Sequence, residues 1–343
     1  MLHEVFVEKF DCFYQRRILP VAPDADHEPR INIFQSHGAR WKRMRSVFSP
    51  AFAVSSIKQV LPIVEDSWVV LTKLIEQDHG DGEVFDIKPY FKEFTMDTIA
   101  RLVLGQKQAL PFKTKRTAAA EKLFGVNLHT PFMFFATLFP PVMKRIRSIV
   151  VKLRLNIFAG VEAVMDDCEK AVKERMEQRE EMASFLSSGD PTFEDYNELK
   201  YFEGVIKEAL RFFPLTARGL PRRCMKSTTI GTYEIEKGTV IVPDVYGIHF
   251  DSNIWGDDVE EFKPERWLDA SRRVPPHAFI PFGGGPRICI GMRLGIVEMK
   301  ALLAQIIRRF EILPDPLVHE LDLYGCTTIQ PKIVPVMLKR RNL

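Results

Sequence analysis

The chain of 343 residues has no Gly/Ser-rich linker, no long block of like charge and no internal repeat. Nothing therefore divides it, and residues 1–343 read as a single domain. No two of its five cysteines (Cys12, Cys168, Cys224, Cys289 and Cys326) stand as a C-x-x-C pair, and their number is odd. That excludes a disulfide scaffold or a cysteine-paired zinc site and points to a reducing compartment with one functional thiol. The formal net charge is only +3, too small to imply a nucleic-acid partner. A long apolar run is also missing. The longest stretch free of Lys, Arg, Asp and Glu, residues 123–143, is interrupted by Pro131, Pro140 and Pro141, so it is no plain transmembrane helix. The first residues, Met1 to Lys9, carry early charges and match neither a signal peptide nor an anchor.

What is present is a hydrophobic fraction of 46%, enough for a large buried core. Helical apolar spacing runs through residues 56–77 at Ile57, Val60, Leu61, Val64, Trp68 and Leu71. Further helices are predicted over residues 40–49, 93–104, 146–182, 199–213 and 291 to about 309. Short strands are predicted at 227–233, 239–242 and 333–338, with a turn at Glu236 to Gly238 between the first two. The fold class is mainly α with small peripheral β-sheets.

The most informative segment runs from Phe282 to Gly291 and carries the pattern F-x-x-G-x-R-x-C-x-G. It sets Cys289 in a glycine-rich loop that leads straight into a helix. Gly283, Gly284 and Gly285 allow positive φ and close passage of backbone past a flat ligand. Arg287, two residues before the sulfur, can meet an anionic edge of such a ligand. The following helix N-terminus favours a thiolate, and Gly291 leaves room where that helix begins.

Phe282, Gly285, Arg287, Cys289 and Gly291 together resemble the haem-binding loop of the cytochrome P-450 family, in which the cysteine is the axial iron ligand. Other segments resemble the same family. Trp41 and Arg45 match its W-x-x-x-R helix, sharing one face at i and i+4, where an indole N–H and a guanidinium reach haem propionates. Glu208 and Arg211 match its E-x-x-R helix, and Arg266 lies in the matching P-E-R segment. The resemblance implies that these three form a buried ion cluster supporting the site. Arg222, or its neighbour Arg223, resembles another propionate partner. The isolated histidines, His249 and His277 among them, read as packed or surface residues and not as iron ligands.

The likeness spans almost the whole chain and is nearest to animal members that oxidise drugs and steroids. It implies haem b, a lipophilic small-molecule substrate, and an NADPH-dependent reductase as electron donor. It also implies the endoplasmic reticulum membrane, with peripheral contact through residues 128–143. Without the family's N-terminal anchor, a cytoplasmic or peripheral location is the expectation. Phe132, Phe134, Phe135 and Phe139 are expected to line a substrate pocket.

Two departures stand against the likeness. Family members are markedly longer than this chain. Their distal helix also carries an acid beside an alcohol, as A-G-x-[DE]-T, which relays protons to oxygen. Ala159 to Ala163 resembles that motif, with Glu162 as the acid, but Ala163 lacks the hydroxyl. Two explanations stand: deletion of the distal helix near residues 187–196, which we favour, or a degenerate motif at Glu162. The function implied is a haem-thiolate monooxygenase that inserts one oxygen atom from O2 into a lipophilic molecule. The alternative is a haem-binding pseudoenzyme or truncated product without oxygen activation.

Overall fold

The computed structural model describes residues 1–16, 31–104, 200–216, 220–269, 271–317, 322–324 and 328–341. The expectations for residues 123–143, for the helix at 146–182, for Glu162 and for the segment 187–196 lie outside them, as do Cys168 and Cys326.

The described residues are mainly helical, with small antiparallel sheets. After a helical turn at Glu4–Glu8, helix α1 (Gly38–Phe48) runs to a 3-10 turn at Ser49–Phe52, where Pro50 cannot continue it. The helix expected over 56–77 is two helices, α2 (Val54–Lys58) and α3 (Leu61–Asp78). Pro62 explains the interruption: with no N–H to donate it fits a helix's first turn, so α3 starts afresh there. One face of α3 buries Leu61, Val64, Trp68, Leu71 and Ile75.

Strand β1 (Val84–Asp86) precedes α4 (Lys88–Leu104), which begins five residues before the expected start at Glu93. Pro89 and the Asp86 carboxylate, which accepts from the Lys88 N–H at 3.1 Å, provide the earlier start. Helix α5 (Lys200–Phe212) stops just before Pro214.

The strand expected over 227–233 is in fact the first arm and turn of a hairpin. Here β3 (Thr228–Ile230) pairs with β4 (Tyr233–Ile235), and Gly231 makes the turn at φ 55°. On either side of it β2 (Arg222–Arg223) pairs with β5 (Val240–Ile241). Asp244 and Asp251 cap the short helices α6 (Val245–His249) and α7 (Ser252–Trp255). Helix α8 (Met292–Arg309) follows the cysteine loop and leads into β6 (Phe310–Pro314). A hairpin of β7 (Leu323–Tyr324) and β8 (Gln330–Pro331) follows, and β9 (Pro335–Arg340) then lies between β1 and β6 in a three-stranded sheet.

Two hydrophobic clusters locate the site. The larger packs α2, α3, α4 and α8 against the three-stranded sheet through Ile57, Trp68, Phe94, Leu294, Ile306, Phe310 and Leu338. The smaller joins the N-terminal turn (Val5, Phe6, Phe13) to Leu220, Cys224, Ile230, Val245 and Ile280. Ile280 belongs to the smaller cluster and Leu294 to the larger, so the loop carrying Cys289 is strung between two fixed points. Each buried side chain of this kind contributes about 1.5–3 kcal/mol relative to exposure.

Candidate functional site

The cysteine loop closes on itself. The Cys289 N–H donates to the Phe282 carbonyl at 2.9 Å, and the Ile288 N–H to Gly285 at 3.0 Å, completing a 3-10 turn at Gly285–Arg287. Cys289 is exposed, with its thiol free, whereas Cys224 is buried and Cys12 half-buried. Burial raises the Cys224 pKa above the usual thiol value.

The glycine triplet departs from expectation in part. Gly283 (φ 80°) and Gly285 (φ 64°) take positive φ, but Gly284 (φ −147°) is extended. The close neighbour is protein backbone: a Cβ on Gly285 would fall 1.9 Å from the Phe6 carbonyl oxygen. Glycine is thus required where the loop meets the N-terminal turn. At Gly291 a Cβ would meet only Phe52, at an ordinary 3.7 Å.

Four arginines surround the loop. Arg287 is buried, and its donors go inward to the carbonyls of Tyr14 and Ser36, each at 2.6 Å, with its guanidinium 4.8 Å from the Trp41 ring centroid. These bonds tie the loop to residues 14 and 36. Trp41 and Arg45 share one face of α1, as expected. Arg45 Nη1 donates to the Ile288 carbonyl at 2.9 Å, and no acceptor among the described residues meets the Trp41 indole N–H. Arg16, which the sequence reading missed, donates Nη2 to the Arg287 carbonyl at 2.7 Å, and its Nε is buried without a partner. Its signal lies in no local pattern: Gln15 bridges to Arg223 across the fold, and this sets Arg16 in the cluster.

Of the two candidates at 222 and 223, Arg222 is the one buried in the cluster, only 1% exposed. Its Nη1 donates to the Leu220 and Pro221 carbonyls at 3.2 and 3.3 Å, while Nε and Nη2 have no partner. Among the described residues, no carboxylate pairs with any of the four. Burial first, then Arg16 and Arg287, pushes the Arg222 pKa down to about 8. Burial, then Arg16 and Arg45, takes Arg287 to about 9. Burial takes Arg16 to about 10, with Cys289 opposing that shift and Arg45 adding to it. Arg45 is lowered by burial, against the opposing pull of Cys289. Buried cations without counter-charge are costly. An exposed thiol ringed by unneutralised guanidiniums fits a ligand that brings both a metal centre and anionic groups.

The support cluster is built differently. Glu208 on α5 accepts from Arg211 Nε at 3.0 Å and Nη2 at 2.8 Å, and from Arg266 Nε at 2.8 Å. It also accepts from the Trp267 indole at 2.9 Å and the Lys263 N–H at 3.0 Å. Arg211 donates onward to the His249 carbonyl at 2.9 Å, and Arg266 meets Asp258 at 3.0 Å. Gly204 permits this docking, since a Cβ there would lie 2.8 Å from the Pro264 carbonyl oxygen. Burial alone would raise the Glu208 pKa, but the hydrogen bonds from Arg211, Lys263 and Trp267 outweigh it and hold the pKa below its usual value. The expected trio is thus assembled.

His249 is fully buried and accepts the Ile280 N–H at Nε2, at 3.2 Å, as a packed residue would. An apolar cavity of about 660 Å³ opens among Phe212, Phe213, Leu215, Val242, Tyr246 and Leu323. Among the described residues, no single helix is long and apolar enough to cross a membrane.

A protein-family model described as Cytochrome P450 matches residues 1–187 and 172–337. A putative cytochrome P450 of Caenorhabditis elegans, cyp-13B1, is 31% identical over 428 aligned positions, covering 99% of this chain and 84% of that protein. Another from the same organism, CYP13A1, is 32% identical over 438 positions, covering 100% of the chain and 84% of the relative. Both alignments are longer than the chain's 343 residues and so open gaps within it.

Proposed function

The chain belongs to the cytochrome P450 family of haem-dependent oxidoreductases, and from that premise we propose that it holds haem b with Cys289 as the axial ligand. The observation that carries this is Arg222, a buried guanidinium whose Nε and Nη2 have no partner. Arg222, Arg16 and Arg45 neutralise the two propionates, and Trp41 adds its indole N–H. Arg287 keeps the loop tied to residues 14 and 36 while this happens. When bound, the haem supplies activation of O2 and insertion of one oxygen atom into a substrate. Cys289 would supply the thiolate that holds the haem iron.

The substrate is a lipophilic small molecule. The apolar cavity beside Leu215 supports this, being of the size of a small-molecule site. The chain runs from that cavity towards the loop, where Thr216 donates to the Pro281 carbonyl at 2.8 Å. An NADPH-dependent reductase supplies electrons on the cysteine side, where Arg273 and Arg293 are exposed. Arg272, half-buried, adds its charge from a position held by the Trp255 carbonyl and ring. The family is often membrane-associated, which makes the endoplasmic reticulum surface the natural place for this activity.

A second reading is haem binding without efficient turnover. It is supported by the division of the family match at residues 172–187 and by the gaps that the relatives open. Those features suit an internal deletion near residues 187–196; under the alternative, a degenerate motif at Glu162, Ala163 lacks the hydroxyl of the family's relay alcohol.

The reduced carbon-monoxide difference spectrum of the haem-loaded chain tests the first claim. A thiolate-type Soret band is expected, and it should vanish in Cys289→Ala. A band unchanged by that substitution overturns the ligand assignment. Coupled oxidation of a lipophilic substrate would remove the second reading, whereas a thiolate-type band without product would favour it.

A further inference from the structure

The segment before the cysteine loop carries a second constellation that haem binding does not use. Among the described residues, His277 is the only non-glycine with positive φ, at 64°. That conformation is uncommon outside glycine, although histidine is enriched in it. The ring lies on the cysteine loop, because a Cβ on Gly284 would come within 2.7 Å of its Cδ2. It faces His3 of the N-terminal turn, Nδ1 to Nδ1, at 3.4 Å, with ring planes 58° apart.

That separation exceeds the usual hydrogen-bond range of about 2.7–3.2 Å. It matches a chelate instead: two imidazole nitrogens on one tetrahedral metal, each at about 2.0–2.1 Å, lie about 3.3–3.4 Å apart. The other nitrogen of His3, Nε2, sits 3.5 Å from Glu8 Oε1. The charge of a carboxylate on that side favours the tautomer with its proton on Nε2, which leaves the Nδ1 lone pair for a metal. His3 and Glu8 are exposed, which leaves the site open to ions from solvent.

We propose that His3 Nδ1 and His277 Nδ1 form a two-histidine site for a divalent transition metal, with Zn²⁺ the ion best suited to the spacing. Glu8 is its orienting carboxylate, and water fills the remaining positions. No group of three or more metal-binding side chains gathers among the described residues, so the affinity rests on two ligands. The metal would clip together residues 274 positions apart. It would thereby fix the N-terminal turn, and Phe6 with it, against Gly284 and Gly285.

The test is Zn²⁺ titration of the untagged full chain by calorimetry, with melting temperature measured in parallel. A Cys289→Ser background removes the exposed thiol as a competing ligand. One saturable site is expected, with a melting temperature that rises as Zn²⁺ is added. His3→Ala should abolish both effects and leave the metal-free melting temperature nearly unchanged. His277→Asn, which tolerates the positive φ, should do the same. Glu8→Gln should weaken binding by roughly tenfold. Binding that survives His3→Ala, or no saturable binding up to about 1 mM Zn²⁺, a free energy of only about 4 kcal/mol, overturns the proposal.

Discussion

The cluster around Glu208 and the cluster around Cys289 are both built on arginines, buried at Arg211, Arg266, Arg222 and Arg287 and half-buried at Arg16 and Arg45, and they differ in one respect. Around Glu208 every charge has an opposite charge or a carbonyl to answer it, and the two arginines share one carboxylate. Around Cys289 the arginines have, among the described residues, carbonyls as their only hydrogen-bond partners, and two of them keep buried nitrogens with none. The first arrangement is closed and can serve only the fold. The second is complete only when an anion is added, which marks it as a binding site. Chemistry of residue type alone would not separate the two; the accounting of partners does.

The largest expected effect is on the closed cluster. Glu208→Ala leaves Arg211 and Arg266 buried without their carboxylate and should lower stability by about 3–5 kcal/mol in urea unfolding. A loss within 1 kcal/mol would show that the cluster is not closed. Next comes Glu298 on α8, a buried carboxyl that pairs with no cation among the described residues and keeps one oxygen unpartnered. Burial raises its pKa from 4.5 to about 7, against a lowering bond from Thr95, the reverse of Glu208. The folded protein holds this proton more tightly than the unfolded chain. Its contribution is therefore whole below about pH 4.5 and lost as pH rises through about 7, a difference of about 3 kcal/mol. The gap in stability between wild type and Glu298→Gln should grow over that window in favour of the glutamine. A gap independent of pH would refute the shift.

Gly285→Ala forces a Cβ against the Phe6 carbonyl at a positive φ, and should cost roughly 2–3 kcal/mol together with most haem uptake. Full uptake in that variant would mean that the loop need not dock on the N-terminal turn. The smallest change in stability, and the one with the opposite sign, belongs to the open cluster. Arg222→Leu removes a buried, unanswered charge and should leave the haem-free chain equally stable or more stable by about 1 kcal/mol. Haem affinity should fall at least about tenfold, or about 1.4 kcal/mol.

Much of this was legible before the structure. Glu208, Arg211 and Arg266 sit in short patterns whose spacing survives as contacts, and the patterns around Cys289 and around Trp41 and Arg45 survive as a tight loop and a shared helix face. Arg16 was not legible, because its place depends on a bridge to Arg223 and a bond to the Arg287 carbonyl, 271 residues away. The glycine triplet was half legible. Its positive φ values follow from residue type, but the partner it admits, Phe6, belongs to another part of the chain. The break between α2 and α3 was hidden because the apolar spacing runs on through Val60 and Leu61, and only Pro62 marks it.

The most direct test of the open-cluster account is haem titration of wild type and Arg222→Leu, each paired with urea unfolding of the haem-free chain. Haem dimethyl ester, whose propionates carry no charge, serves as the control ligand. The account predicts weaker haem binding with undiminished haem-free stability, and a far smaller difference between the two proteins for the ester. Unchanged haem affinity in Arg222→Leu, with a less stable haem-free chain, would show Arg222 to be a structural residue and contradict the account.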